Sequence, residues 1–233
     1  TAGQFSAFQY DLFGSPIIWM ASSDGIDSTD VFYLDENGHA HTNFGFSELG
    51  IYRVGLQASA ILDSDGSTVT SNIEHVTFAV GTLATWLADH FGGLDLVDSQ
   101  TTGMDADAEG DGVDIRQEYA FNLNPTISDR HTMTRDTGTS GLPIGWVEAA
   151  SGSDRLHIQF LRRKSATNPQ IQYIVEFNDN AGDEQGWVAA NTETTGSIND
   201  VWERVTVTDS ESVATKSSRF ARVRIVVQET ISY

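Results

Sequence analysis

The clearest strand pattern of the chain lies in Ile51-Tyr52-Arg53-Val54-Gly55-Leu56-Gln57-Ala58-Ser59-Ala60. Side chains two residues apart point to the same face of a β-strand, so Tyr52, Val54 and Leu56 share a face with the two alanines. Arg53 and Gln57 fall on the opposite face. This alternation of apolar and polar residues is typical of a strand that is buried on one side. The stretch therefore predicts an antiparallel β module.

Similar short alternations surround this stretch and return towards the C-terminal end. Near the first strand, Asp65-Gly66 favours a hairpin turn ahead of a strand around Phe78. In the C-terminal part we predict four strands, at residues 156–161, 171–177, 201–207 and 220–227. The last of these places Arg222 and Arg224 opposite an apolar face, as a half-exposed strand requires.

Between the two β regions the spacing of apolar residues changes. Leu83, Trp86 and Leu87 recur at three- and four-residue spacing, which predicts a short helix over residues 83–91. A second helix is predicted from about residue 114 to 121, because the proline of Asn124-Pro125 disfavours its continuation.

The predicted fold class is mainly β, with two antiparallel β-sandwich modules joined by a short helical, EF-hand-like calcium-binding linker. We place the first module at residues 1–81, the linker at residues 82–125 and the C-terminal sandwich at residues 126–233.

The charge balance bears on the choice of partner. The chain carries 13 Lys plus Arg against 33 Asp plus Glu, a formal net charge of -20. This excess repels phosphate backbones and anionic lipid, so we expect neither nucleic-acid binding nor direct membrane insertion, and cations are the natural ligands. The chain contains no cysteine, which excludes a disulfide framework. Because it begins at Thr1 and not at methionine, we expect a removed leader or a longer polypeptide.

One acidic segment matches the EF-hand calcium loop, in which oxygen ligands occupy positions 1, 3, 5 and 12 and glycine occupies position 6. It reads Asp107-Ala108-Glu109-Gly110-Asp111-Gly112-Val113-Asp114-Ile115-Arg116-Gln117-Glu118. Calcium takes six to eight oxygen ligands, and alternate residues of a tight turn supply them. The predicted calcium ligands are the side chains of Asp107, Glu109, Asp111 and Glu118 and the backbone carbonyl of Val113.

The sequence also determines the register of this loop and the ligand available at its ninth position. A register that starts at Asp105 would place Arg116, a cation, at position 12, so that register is excluded. Position 9 holds Ile115, which has no side-chain oxygen, so a water held by other groups would have to replace that ligand. The alternative interpretation is an acidic, solvated loop without an ion. If the ion is present, we expect chelation to loosen the linker, because its carboxylates would repel one another.

Residues 105–125 also carry Glu118-Tyr119-Ala120 and Asn122-Leu123-Asn124-Pro125. With these the segment resembles the acidic calcium motif and following helix near the C-termini of many large exported bacterial surface proteins. In those proteins position 9 is usually asparagine. The resemblance implies an extracellular location on a bacterial cell surface.

Two further segments resemble domains of such proteins. Residues 3–81 are similar to the C-terminal half of the choice-of-anchor M domain, related to actinobacterial surface-anchored repeats. The matching motifs are Gly3-Gln4-Phe5, Phe13-Gly14-Ser15-Pro16, His39-Ala40-His41-Thr42-Asn43-Phe44 and Gly50-Ile51-Tyr52. Residues 154–228 resemble the small β domain that commonly follows, through Leu156-His157-Ile158-Gln159-Phe160, Tyr173-Ile174-Val175-Glu176 and Arg219-Phe220-Ala221-Arg222.

The first resemblance implies that the family domain extends further before Gly3. We therefore expect the strands of this module to be covered by the rest of the same polypeptide or by a strand donated from a neighbouring subunit.

Other chemistry has weaker support. His39 and His41 alternate and would share a strand face, so they are speculative transition-metal ligands with His75 or an acidic side chain as a third, although structural histidines are the alternative. We find no nucleophile elbow, phosphate loop, dinucleotide fingerprint or helical His-Glu-x-x-His pair, and we expect no enzyme.

We therefore predict an extracellular, calcium-stabilised structural or adhesive protein of a bacterial cell surface or matrix, as a subunit of a fibre or surface assembly. Its expected partners are other surface-protein subunits. The alternative is a carbohydrate-binding module that binds extracellular glycans through Trp146, Trp187 or Trp202, which lie in or beside turn-rich segments.

Overall fold

A computed structural model describes residues 3–150, 152–190 and 192–228. The described chain is mainly β, with several antiparallel sheets and few helices. It divides into two compact units, one with the residues up to Thr85 and one from Trp86 to the end of the described chain. The predicted calcium loop and the C-terminal strands belong to the same unit.

The first unit contains three small antiparallel sheets. The strands are β1 (Phe5–Tyr10), β2 (Pro16–Ala21), β3 (Asn43–Phe46), β4 (Gly50–Leu56), β5 (Ser59–Ile61), β6 (Thr68–Thr70) and β7 (Glu74–Val80). The strand orders of the three sheets are β2-β1-β3, β4-β7 and β5-β6.

The single strand predicted over residues 51–60 is divided between β4 and β5. The two pieces have different partners, β7 and β6. The predicted turn at Asp65-Gly66 lies between β5 and β6, where Oδ1 of Asp65 accepts from the backbone N–H of Ser67 at 2.9 Å. Gly66 has φ 74°, a left-handed conformation that glycine adopts without strain.

Apolar packing in the first unit centres on aromatic rings. Phe5 lies 5.6 Å from Phe44 and 6.0 Å from Phe78, and Phe46 lies 4.8 Å from Tyr52, all measured between ring centroids. Many other large apolar side chains of this unit are exposed. They include Leu12, Phe13, Ile18, Ile26, Tyr33, Leu34, Ile61 and Ile73.

The second unit contains a four-stranded and a three-stranded sheet. The strands are β8 (Ile144–Ala150), β9 (Ser153–Arg163), β10 (Ile171–Asn178), β11 (Val188–Ala189), β12 (Glu193–Ser197), β13 (Trp202–Ser212) and β14 (Phe220–Val227). The strand orders of the two sheets are β12-β13-β9-β8 and β11-β10-β14. The four strands predicted here are confirmed as β9, β10, β13 and β14, with β13 beginning one residue later than predicted. Phe160 of β9 stacks on Tyr173 of β10 with ring centroids 5.8 Å apart, so the two sheets meet through apolar side chains.

Three α-helices lie between the β regions, at Thr82–His90 (α1), Ser99–Thr102 (α2) and Ile115–Phe121 (α3). Helices α1 and α3 confirm the two predicted helices. Single turns of 3-10 helix occur at Asp95–Val97, Ser165–Thr167 and Val213–Thr215. Among the described residues, no helix has the length and apolar character needed to cross a membrane.

Candidate metal centre

The segment after Asp107 folds into a tight turn that is organised by the Asp107 carboxylate. Its Oδ1 accepts from the backbone N–H groups of Gly110 and Asp111 at 2.8 and 3.1 Å, and its Oδ2 accepts from that of Gly112 at 2.9 Å. Gly110 and Gly112 have φ values of 79° and 84°. A side chain with a Cβ is strained there, which explains the glycines at these positions.

The two ends of the loop are joined by backbone hydrogen bonds. The N–H of Ile115 donates to the carbonyl of Ala106 at 2.9 Å, and the N–H of Arg116 donates to that of Met104 at 3.1 Å. The Asp105 carboxylate pairs with Arg116 at 2.6 Å and is 85% exposed. Asp105 therefore points to a cation of the chain and not into the loop, which agrees with excluding the register that starts there.

Helix α3 begins at a reciprocal capping box that fixes the position of Glu118. Asp114 accepts from the N–H of Gln117 at 2.8 Å, and the Gln117 side chain accepts from the N–H of Asp114 at 3.3 Å. Such caps satisfy N–H groups that the first turn of a helix leaves free. Glu118 lies in the next position of α3, and its side chain is 0% exposed.

Carboxylates converge above this helix. One oxygen from each of Asp107, Glu109 and Asp111 lies within 4.8 Å of the others. Both oxygens of Glu109 and both of Glu118 are buried and accept no hydrogen bond within the described part of the chain. A buried carboxylate without a donor is strongly unfavourable. These orphaned oxygens fit the hard, oxygen-seeking cation that the loop pattern implies.

The electrostatics of Glu118 follow from this crowding. Burial is the largest cause that raises its pKa, from 4.5 to about 9. The facing carboxyl of Glu109 adds to the rise, and the charges of Asp111 and Asp129 add smaller contributions. In the absence of a cation, Glu118 therefore favours its protonated form near neutral pH.

Asp129, which lies outside the loop, was not predicted from the sequence. Its Oδ1 is buried and has no hydrogen-bond partner among the residues described. The neighbouring residue contacts the loop, because the backbone N–H of Arg130 donates to Oδ2 of Asp111 at 2.8 Å. Only the abundance of aspartate in this region hinted at such a residue.

The C-terminal end of α3 is held by the sheets of the second unit. Nε of Arg163 in β9 donates to the carbonyl of Tyr119 at 2.9 Å, and the Tyr173 hydroxyl of β10 donates to the carbonyl of Ala120 at 2.8 Å. These carbonyls have no partner within the helix itself. The helix that carries Glu118 is thus fixed to both sheets.

Two of the three histidines considered as transition-metal ligands lie near each other. The rings of His39 and His41 lie 5.7 Å apart, but both residues are exposed and precede β3, so the expected strand position is wrong. His75 lies in β7, opposite Gly55 of β4. In the described ranges, the one group of three or more candidate ligands whose atoms converge is Asp107, Glu109 and Asp111.

The three tryptophans considered for glycan binding each contact an arginine. The guanidinium carbons of Arg135, Arg222 and Arg163 lie over the rings of Trp146, Trp187 and Trp202 at 4.0, 4.1 and 4.4 Å. Trp146 also stacks on His157 with an interplanar angle of 8°. Trp202 is 8% exposed and lies in β13, which confirms the alternative that it is a core residue of a strand.

No family model, no curated protein and no solved structure matches the chain. The chemistry of the acidic cluster therefore has to be judged from its own residues.

Proposed function

We propose that the protein is an extracellular, calcium-stabilised structural or adhesive component of a bacterial surface or matrix. One observation carries the calcium part of this proposal. The two buried oxygens of Glu118 have no hydrogen-bond donor among the described residues and face Glu109, beside the turn that Asp107 organises. A divalent cation would neutralise charges that otherwise oppose folding of this segment.

Calcium suits this set of residues better than other common metals. The candidate ligands are carboxylates and a backbone carbonyl, and no cysteine exists in the chain. Oxygen-only sites favour calcium, magnesium and manganese over zinc or copper. Magnesium prefers to keep several waters and demands near-octahedral geometry, whereas a loop of the EF-hand pattern suits the larger and more adaptable calcium ion. Asp107, Glu109, Asp111, Val113 and Glu118 would hold it.

The structural role follows from where Glu118 lies. It is carried by α3, and the last carbonyls of α3 accept from Arg163 and Tyr173 of the two sheets. An ion bound by Glu118 would therefore stabilise the docking of α3 in a protein that has no disulfides. We also propose that the sheets of each unit form a β-sandwich.

The assembly part of the proposal draws on the first unit. Leu12 and Phe13 are 101% and 94% exposed, and they accompany further exposed apolar side chains of the same unit. Exposed apolar groups of this extent favour contact with another protein segment. We propose that other surface-protein subunits supply it, by strand donation or by a related contact.

Glycan binding stays as the alternative function. It has less support, because the rings of Trp146, Trp187 and Trp202 already contact arginine side chains. A sugar that stacks on these rings would have to compete with those contacts.

Calcium binding is tested by titration calorimetry on the chelator-treated protein. We expect a Kd at or below about 1 mM, the range of extracellular calcium modules, together with a higher Tm in calcium than in chelator. Glu118→Gln is expected to abolish most of the binding. Glu36→Gln, which removes one charge at an exposed position, serves as the control. Absence of binding to the wild-type protein would reject the calcium proposal.

Assembly is tested by sedimentation velocity over a range of concentrations and by electron microscopy, both in calcium. We expect oligomers or filaments, and weaker association for Phe13→Ser, whose side chain is too exposed to support the fold. A wild-type protein that stays monomeric at every concentration would reject self-assembly.

A further inference from the structure

We infer that Asp129 is an additional cation ligand, which enters the site from outside the twelve-residue loop and replaces the oxygen that position 9 lacks. This inference rests on the proposed function, because it assigns a further ligand to the same site. It makes a specific structural claim: one ion would join two segments of the chain, the loop of residues 107–118 and the segment that follows α3.

Position 9 of the loop cannot supply the calcium ligand that is usual there. Ile115 has no side-chain oxygen, and its side chain is 0% exposed in the core. Its backbone N–H is engaged with the carbonyl of Ala106 at 2.9 Å. The ligand that an EF-hand loop usually supplies at this position, directly or through water, must therefore come from elsewhere.

Asp129 has one oxygen fixed and the other free. Its Oδ2 accepts from the backbone N–H of Asn124 at 3.3 Å, and its backbone carbonyl contacts Nδ1 of His131 at 2.7 Å. These contacts hold the residue in place. Its Oδ1 is buried and, like the oxygens of Glu109 and Glu118, finds no partner in the described ranges.

Contacts of Arg130 bring Asp129 to the loop. The backbone N–H of Arg130 donates to Oδ2 of Asp111, and its guanidinium donates to the carbonyl of Asp111 at 3.3 Å. The charge of Asp129 also contributes to the raised pKa of Glu118. Asp129 therefore directly precedes a residue that is hydrogen-bonded to the loop.

In the part of the chain that the structure describes, these carboxylates form no ion pairs. Within the described residues, no lysine, arginine or histidine forms an ion pair with Asp107, Glu109, Asp111, Glu118 or Asp129. Arg130, the nearest candidate, directs its hydrogen bond to a backbone carbonyl. Asp107, Glu109 and Asp111 converge, and the absence of ion pairs to these five carboxylates among the described residues favours a bound cation over an internal ion-pair network.

A cation bound by Asp129 would also stabilise the segment that follows α3. Met133 lies four residues beyond Asp129 and is buried with Leu161 and Trp202 in one apolar cluster. A cation held by both Asp129 and Glu118 would therefore connect the loop to this cluster. Residues 124–133 should then be protected only when the ion is present.

The test compares Asp129→Asn with Asp105→Asn, a matched loss of charge at the exposed aspartate that pairs with Arg116. Calcium titration should give a Kd at least about tenfold weaker for Asp129→Asn and nearly unchanged for Asp105→Asn. Terbium luminescence lifetimes in light and heavy water count the waters on the ion. Asp129→Asn should gain about one water, because an amide oxygen is a weaker ligand than a carboxylate.

Hydrogen exchange gives a readout that does not depend on affinity. At saturating calcium, residues 124–133 should exchange faster in Asp129→Asn than in the wild type, and calcium should slow their exchange in the wild type alone. Asp129→Glu, which keeps the charge, should recover part of the affinity. It keeps the test valid if the asparagine variant is poorly folded.

The outcomes separate the two proposals. If the wild type and Asp129→Asn bind calcium equally and hold equal numbers of water, Asp129 is not a ligand and the proposed function stands. If the wild type binds no calcium, both are rejected. If only Glu118→Gln loses binding, the site consists of the loop alone.

Discussion

Arg163 contacts Tyr119 in two ways at once. Its Nε donates to the Tyr119 carbonyl at 2.9 Å, and its guanidinium carbon lies 3.9 Å from the centroid of the Tyr119 ring. The same guanidinium carbon lies 4.4 Å from the centroid of the Trp202 ring. A planar cation suits this position, because it stacks on aromatic rings and donates within its own plane. Arg163 thereby links the end of α3 to strands β9 and β13.

Replacing this arginine by lysine should be costly although the charge is kept. An ammonium group is not planar, so it cannot stack on either ring as the guanidinium does. It would also leave the Tyr119 carbonyl without its donor. We expect Arg163→Lys to lower the free energy of unfolding by about 2 kcal/mol. Urea unfolding followed by tryptophan fluorescence measures this, with the exposed Arg53→Lys as the control. Equal stability of the two variants would contradict the stacked arrangement.

The second prediction concerns position 9 of the loop. Ile115→Asn supplies the residue that similar loops carry there, yet Ile115 is 0% exposed. We expect a loss of about 3 kcal/mol in unfolding free energy, from lost apolar burial and from an amide without partners. We also expect no gain in calcium affinity. Differential scanning calorimetry and calcium titration test the two parts, and tighter binding in Ile115→Asn would show that this side chain reaches the ion.

The turn after Asp107 and helix α3 were predictable because their signals are local. Glycine at position 6, the spacing of acidic residues and the cap at Asp114 all lie within a few residues of the features they determine. Strand β14 was predicted with its observed bounds for the same reason, since its alternation is uninterrupted.

Features that depend on distant contacts were not predictable. Arg130, the neighbour of Asp129, contacts the loop through a hydrogen bond to Asp111, nineteen positions away. The division of the strand predicted over residues 51–60 has a similar cause, because β4 pairs with β7 while β5 pairs with β6. The local sequence pattern does not indicate which partner strand each half of this segment pairs with. Strands β8 and β12 were missed as well, although each pairs with the long strand that follows it directly in the chain.

The third prediction is a pH dependence that arises from Glu176. Burial opposes ionisation of this carboxyl, but hydrogen bonds and charge from Arg224 and Arg222 outweigh it and lower its pKa below the ordinary 4.5. A lowered folded-state pKa gives stability that is present above pH 4.5 and is lost as the pH falls through the folded value.

We therefore expect Glu176→Gln to be less stable than the wild type by about 1–3 kcal/mol near pH 7 and by progressively less below pH 4.5. Urea unfolding at a series of pH values, all at saturating or all at zero calcium, measures this difference. A difference that is the same at pH 7 and pH 3 would show that the loss does not come from the ionised carboxylate.

The fourth prediction compares two aspartates that share Arg219. Asp209 binds it through both carboxylate oxygens, at 2.5 Å to Nε and 2.8 Å to Nη2, and its side chain is 1% exposed. Asp179 binds the same guanidinium at 2.9 Å, but its side chain is 49% exposed. Removing a buried partner leaves a cation without compensation, whereas an exposed partner is replaced by water.

Asp209→Asn should therefore cost about 3 kcal/mol of unfolding free energy, and Asp179→Asn should cost much less. Added salt should reduce the effect of Asp179→Asn more than that of Asp209→Asn, because exposed pairs are screened and buried pairs are not. Urea unfolding of both variants at low and high salt measures whether the two aspartates contribute unequally or equally. Equal costs would mean that Arg219 is stabilised by its surroundings as a whole, and that the buried pair adds nothing beyond the exposed one.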